Sequence, residues 1–418
     1  MAAIHSPGLL TPIKEDETSV HGGTIDADGD VVIIFHADWD ITIKVGKYKY
    51  KVSAANVATA SAEWRRRLYG KDAPSRPVDG DDWEVLAEKE DDSKALGTLL
   101  SIAHFSFNKV SNAPSLDELY AITILTNKYA CTHLVYPWSG KWVEGLSTLV
   151  ADEDCAIKAH KAAWIAYELG DCQLLKDMSD SLVVNAKVDG NGEIVNEAGM
   201  SMKDFRLPNG LLERITTVRA ETVAKLLKQI KVPLDHLTGI KRLDPPKFCR
   251  TGIDVDSCES IMLGSALKAL VPAGLYPVPD PDKFTGSIKD LKNAVCHIKF
   301  FDFRGEGYAP HKGHKGCNLG FQEVVKQVTK AMPVAIDQMQ LEHVILQARI
   351  SGLDKSDAAD GTLYTDADDT EVKTEATKSE GSISEGSNSD KPARSENKPV
   401  KDEDVEFSVK KEKTEDDA

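Results

Sequence analysis

Apolar positions along the chain follow two periods. Between residues 31 and 52 they come in short runs or at every second position: Val31-Val32-Ile33-Ile34-Phe35, Ile41-Thr42-Ile43-Lys44-Val45 and Tyr48-Lys49-Tyr50-Lys51-Val52. β-Branched and aromatic residues at that spacing predict strands over 31–36, 41–45 and 48–52, with Gly46-Lys47 as a hairpin turn. From Ser53 onward the period becomes helical. Ser53 is the expected N-cap of one helix reaching Tyr69, with Gly70 at its C′ position. A short strand is expected near Trp83–Leu86, and Leu96, Leu99, Leu100 and Ala103 mark a helix over 93–104. Ser115-Leu116-Asp117-Glu118 reads as a capping box opening a helix through Leu119, Ile122 and Leu125. A further helix runs through Leu134, Trp138 and Trp142. A small sheet followed by a helical cluster is an α+β fold, here assigned to residues 28–147.

Residues 151–350 read as a mostly α-helical domain. Ala156, Ala159, Ala163, Trp164 and Tyr167 mark one helix, ended by Gly170, and Leu211 to Ile230 mark a long amphipathic one over 210–231. Shorter helices are expected near 257–270, 286–296 and 319–331, and Asp189-Gly190-Asn191-Gly192 reads as a hairpin turn. Trp138, Trp142, Trp164 and Tyr167 are read as core. Residues 1–27 are polar and aperiodic and read as a flexible N-terminus. Residues 353–418 hold 20 acidic and 10 basic residues with few large apolar ones, which reads as a disordered acidic tail.

With 418 residues, 41% of them hydrophobic, the chain has enough apolar side chain for more than one domain. The net charge of −16 argues against a general nucleic-acid surface, which needs clustered Lys and Arg. No apolar run approaches the roughly 18–20 residues of a membrane span, and the first residues lack a signal-peptide pattern. Seven scattered Cys point to reduced thiols or metal ligands, hence nucleus or cytoplasm.

Asp26, Asp28 and Asp30 alternate as at the start of a calcium loop. That loop needs Gly at its sixth position and Glu at its twelfth, where this chain has Val31 and Ala37. Asp28-Gly29-Asp30 is therefore an acidic turn entering a strand. No nucleophile elbow, phosphate-binding loop, His-Glu-x-x-His or dinucleotide fingerprint occurs. The carboxylates of Glu88–Asp92 are read as a solvated face.

Taken together, DGDVVIIF, ITIKVGKYKYKVSAANVATASAEWRRRLYG, LGTLLSIAH and SLDELYAITILTNKYACTHLVYPWSGKW resemble the BTB/POZ domain in the form common in filamentous-fungal proteins. The carrying positions are the Asp-Gly-Asp turn, Ala60-Ser61-Ala62-Glu63-Trp64, and Leu116, Leu119, Tyr120, Lys128, Tyr129 and Cys131. The usual His near the helix start is replaced by Ala55-Asn56. The resemblance implies a non-catalytic adaptor or scaffold whose partners are proteins such as cullin-type ubiquitin ligases or transcription regulators. BTB domains that dimerise by strand exchange carry an extra strand and helix before the core; residues 1–27 show neither pattern, which argues against obligate dimerisation.

Two further constellations carry chemistry. Cys249 and Cys258, followed by His311, His314 and Cys317 in HKGHKGC, supply the nitrogen and sulfur donors of a structural zinc site. Cys296-His297 is an outside candidate for one ligand. The rival function built on 249–317 is a zinc-dependent nucleic-acid binder or enzyme, with Lys241, Arg242, Lys247 and Arg250 as its basic stretch. In the tail, Lys373, Lys401 and Lys410 each follow Val and precede Glu by two, which resembles the SUMO acceptor pattern; Ser382 and Ser387 fit acidophilic kinase sites.

Overall fold

The computed structural model describes residues 11–12, 23–71, 73, 83–150, 155–240, 248–252, 254–301, 314 and 316–354, the side chains of 11, 12 and 147–157 excepted. Its sheet is built from β1 (Thr11–Pro12), β2 (Thr24–Ile25), β3 (Val31–Ile34), β4 (Ile41–Val45), β5 (Tyr48–Val52) and β6 (Glu84–Leu86), in the spatial order β1-β2-β3-β5-β4-β6. β4 and β5 form the expected antiparallel hairpin, with Val45 opposite Tyr48. β3 runs parallel to β5, pairing Val31 with Tyr48 and Ile33 with Tyr50. The sheet extends further toward the N-terminus than the alternation predicts, because Thr24–Ile25 folds back on Val31–Val32. Asp26 to Asp30 make that turn. Asp28 and Asp30 N–H donate to the Asp26 carboxylate, and Lys49 reaches both Asp26 (2.8 Å) and Asp30 (3.0 Å). The alternating acids thus bind lysines of the sheet.

The helix expected from Ala54 to Tyr69 is two helices, α1 (Ala54–Ala60) and α2 (Ala62–Tyr69). Ser61 breaks it in an extended conformation. Its hydroxyl donates to the Tyr129 carbonyl at 2.6 Å and accepts from Trp64 N–H, so it both anchors the break and caps α2. Ser53 makes no side-chain cap. Asp40 accepts from Ala54 N–H at 2.7 Å instead, and Ser53 N–H donates to His104 Nε2 at 3.0 Å. Burial lowers the His104 pKa, which suits a neutral ring that accepts at Nε2 and donates from Nδ1 to the Leu100 carbonyl. Gly70 ends α2 with an ordinary negative φ of −71°. It must be glycine because a Cβ there would stand 2.3 Å from the Arg66 carbonyl oxygen.

α3 (Ser93–Ala103) and α4 (Leu116–Lys128) follow as expected, and the Ser115–Glu118 capping box is present. Leu134 lies in a separate 3₁₀ turn, Thr132–Val135, ahead of α5 (Ser139–Val150). The acidic run 88–92 is not a plain solvated face. Asp91 is buried and bound by Lys128 Nζ at 2.5 Å and by the Tyr129 hydroxyl, Glu88 pairs with Arg67, and Asp92 caps α3. Sequence distance hid this, since the partners of Asp91 lie 37 and 38 residues away.

The second half comprises α6 (Cys155–Leu169), α7 (Cys172–Asn185), the short hairpin β7 (Lys187–Val188) and β8 (Ile194–Val195), α8 (Leu211–Leu237), α9 (Val255–Leu270), α10 (Ile288–Cys296), α11 (Phe321–Lys330) and α12 (Gln338–Ser351). α8 continues past Ile230 through Pro233 to Leu237, with Pro233 and Leu234 buried. Trp138, Trp142 and Trp164 are core residues and Tyr167 is half-buried. All described residues fall in one unit, Met1–Gly361, and one apolar core runs through both halves. A polar contact crosses the junction as well: Glu168 of α6, fully buried, accepts from Thr126 Oγ1 (3.0 Å), Asn127 Nδ2 (3.0 Å) and Thr132 Oγ1 (2.5 Å).

Candidate metal centre

Four residues from three parts of the chain converge beside α8 and α11. Cys249 lies in the described stretch 248–252, Cys258 in the first turns of α9, and His314 and Cys317 in the turn that leads into α11. The eight residues between Cys249 and Cys258 exceed the usual spacing of a zinc pair. A turn at Thr251–Gly252, followed at once by the start of α9, closes that gap, with Cys258 N–H bonded to the Asp254 carbonyl at 3.1 Å. His314 and Cys317 are drawn together by the bond from Cys317 N–H to the His314 carbonyl, 3.2 Å.

One donor atom from each of Cys249, Cys258, His314 and Cys317 lies within 4.8 Å of all the others, and all four residues are buried. Tetrahedral Zn²⁺ with sulfur at about 2.3 Å and nitrogen at about 2.0 Å sets its donors roughly 3.5–3.8 Å apart. Cys249 Sγ stands 3.7 Å from His314 Nδ1, already at that spacing. Three thiols and one imidazole, with no carboxylate in the set, suit a soft or borderline cation over Mg²⁺ or Ca²⁺. The group can hold a metal ion.

The surroundings treat two of the thiols in opposite ways. Burial would push the Cys249 thiol up, but hydrogen bonds from the Thr251 hydroxyl and from Thr251 and Gly252 N–H hold it below its ordinary value. Burial, then the neighbouring Cys249 and Cys317 sulfurs, push Cys258 up to about 12. Crowded thiolates repel one another, and a cation among them reverses that. Thr251 was not foreseen from sequence. Its hydroxyl lies 3.2 Å from His314 Nε2 and 3.4 Å from Cys249 Sγ, where it can fix the imidazole that faces the sulfurs.

Of the residues nominated by sequence, His311 lies outside the described residues, as do Lys241, Arg242, Lys247, Lys373, Lys401, Lys410, Ser382 and Ser387. Cys296 and His297 do not join the group. Cys296 is half-buried at the end of α10, and His297 Nδ1 bonds the Asn293 carbonyl. Arg250 is exposed. Glu259, the carboxylate next to Cys258, points toward His236 at 3.6 Å. No protein-family description, curated protein or solved structure matches this chain.

Proposed function

We propose that the chain is a non-catalytic protein–protein interaction protein, with 28–147 acting as a BTB/POZ-type module and a structural zinc in the helical half. The carrying observation is Phe105. It sits at φ 60° and is 74% exposed, in edge-to-face contact with the exposed Phe107, which packs on Trp138. A bulky residue at positive φ costs on the order of 1–2 kcal/mol, and leaving a Phe in water forgoes roughly 1.5–3 kcal/mol of burial. A partner that covers the pair recovers the second and gives the first a purpose.

The order of β3, β4, β5, α1, α2, β6, α3 and α4 supports the BTB/POZ reading, with Ala60-Ser61-Ala62-Glu63-Trp64 spanning the break between α1 and α2 and Leu116 to Lys128 lying on α4. The implied partners are cullin-type ubiquitin ligases or transcription regulators, in the nucleus or cytoplasm. Zinc is supported by a closed donor set of three thiols and one imidazole, which leaves no open position for substrate.

The test is capture of a purified cullin-type scaffold or transcription corepressor by the full-length chain. Deleting 28–147 is a poor alternative, because Glu168 and the shared core would be stripped of partners. The double variant Phe105→Ser/Phe107→Ser should weaken binding at least about tenfold while the thermal midpoint holds. Binding to neither partner class, or binding that the double variant leaves intact, sinks the reading.

A further inference from the structure

The parallel register of β3 and β5 sets Val31 beside Tyr48 and Ile33 beside Tyr50 on one face of the sheet. Together with Ala121 of α4 and Trp142 of α5 they line a cavity of about 370 Å³. That is within the range of small-molecule sites, roughly 300–1,000 Å³. Ala121 is one of several small residues in the wall, with Gly23, Ala95 and Ser111.

The polar groups around the cavity are unequal. Its three carboxylates are all engaged: Asp92 accepts from Ala95 N–H at 2.8 Å, Asp117 binds Lys161 at 2.6 Å, and Glu118 accepts from Ser115 N–H at 2.8 Å. Its donors are not. Among the described residues Lys94 and Lys109 form no ion pair, Lys109 touching only the Phe35 ring at 5.5 Å. The half-buried Tyr48 hydroxyl makes no hydrogen bond among the described residues, whereas Tyr50 donates to the Ser93 carbonyl at 2.6 Å. An apolar, aromatic cavity with uncommitted ammonium and phenol donors suits a ligand that brings one negative charge on a flat or branched apolar body.

We propose that this cavity binds a small organic monoanion of the aromatic or branched-chain carboxylate class, its apolar body between the sheet and α4 and its charge toward Lys94 and Lys109. Calorimetry on the full chain tests this with 2-naphthoate, and with 2-naphthamide and 2-naphthylmethylammonium as neutral and cationic probes of the same body. Naphthoate should bind saturably at one site, the amide about tenfold or more weaker, and the ammonium not at all. Lys94→Gln/Lys109→Gln should weaken naphthoate about tenfold, Ala121→Leu should block it by filling the space, and Lys225→Gln, exposed on α8, should leave it unchanged. The lysine variants keep the core intact, which the thermal midpoint checks. Naphthoate that does not saturate by roughly 10 mM, equal binding of the three probes, or affinity unmoved by either cavity variant overturns the proposal.

Discussion

Ser139 donates its hydroxyl to the backbone carbonyl of Ser351 at 2.7 Å, joining positions 212 residues apart. Ser351 in turn donates to the Leu169 carbonyl at 2.5 Å, so the end of α12 is bound to the start of α5 and the end of α6. Both serines are fully buried. Beside them, Gly170 has φ +93°, and a Cβ on it would stand 2.1 Å from the Ala348 nitrogen. The last described helix is thus bound both to the first half, through Ser139, and to the end of α6, through Leu169 and Gly170.

Ser139→Ala and Ser351→Ala should each lower stability by about 1–3 kcal/mol in chemical denaturation, because each leaves a buried partner unpaired. The double variant should cost less than the sum, since the two share one network. A chain ending after Asp354 should keep its thermal midpoint within about a degree or two, as the composition beyond it buries little. A chain ending before Gln338 should melt well below it. Equal midpoints for the two truncations would refute the role given to α12.

Glu168 should make stability depend on pH. Burial raises its carboxyl above the ordinary value of 4.5, against the bonds from Thr132, Asn127 and Thr126 and the charge of Arg206. Between the ordinary value and the raised one, the folded chain keeps a proton that the unfolded chain has released. Stability therefore falls as pH rises through that window. Glu168→Gln should flatten this slope, read by denaturation at several pH values between about 4 and 8. A slope that survives the substitution would place the titrating group elsewhere.

Protein purified without a His tag should carry one zinc per chain by elemental analysis. Cys317→Ser should lose the metal and quicken proteolysis in the 248–320 region, and a chelator should reproduce this, since binding energy of such a site is folding energy. Thr251→Val should weaken zinc about 10–100-fold in competition with a chromogenic chelator, and Thr251→Ser should restore it. Metal-free protein with unchanged protease resistance would return the four residues to an ordinary buried cluster.

Asp91→Ala should destabilise by about 1–3 kcal/mol, because it strands the buried Tyr129 hydroxyl and leaves the half-buried Lys128 ammonium with Glu88 (2.8 Å) as its remaining carboxylate partner. The Tyr129 hydroxyl is held above its ordinary pKa by burial first and by Asp91 second, so the variant should also bring its titration down. A cost below about 0.5 kcal/mol would mean that Asp91 is solvated after all.

What the sequence determined by itself is what depends on neighbours a few positions away. Alternation placed β4 and β5 at their observed bounds, because side-chain period is a property of the strand alone. The Ser115–Glu118 box is closed within one helical turn, and the types of metal donor were legible because zinc chemistry selects Cys and His. Tertiary structure decided the rest. Ser61 breaks its helix for a carbonyl 68 residues away, Asp91 is buried by residues on α4, and α12 is tied to Ser139. None of these partners lies within a local window, so no period or cap signals them. The metal group shows both sides: the sequence named the donors, and only the turn at Thr251–Gly252 and the start of α9 brought Cys249 and Cys258 to one point with His314 and Cys317. Spacing along the chain limits which donors can meet, but the path of the backbone between them decides which do.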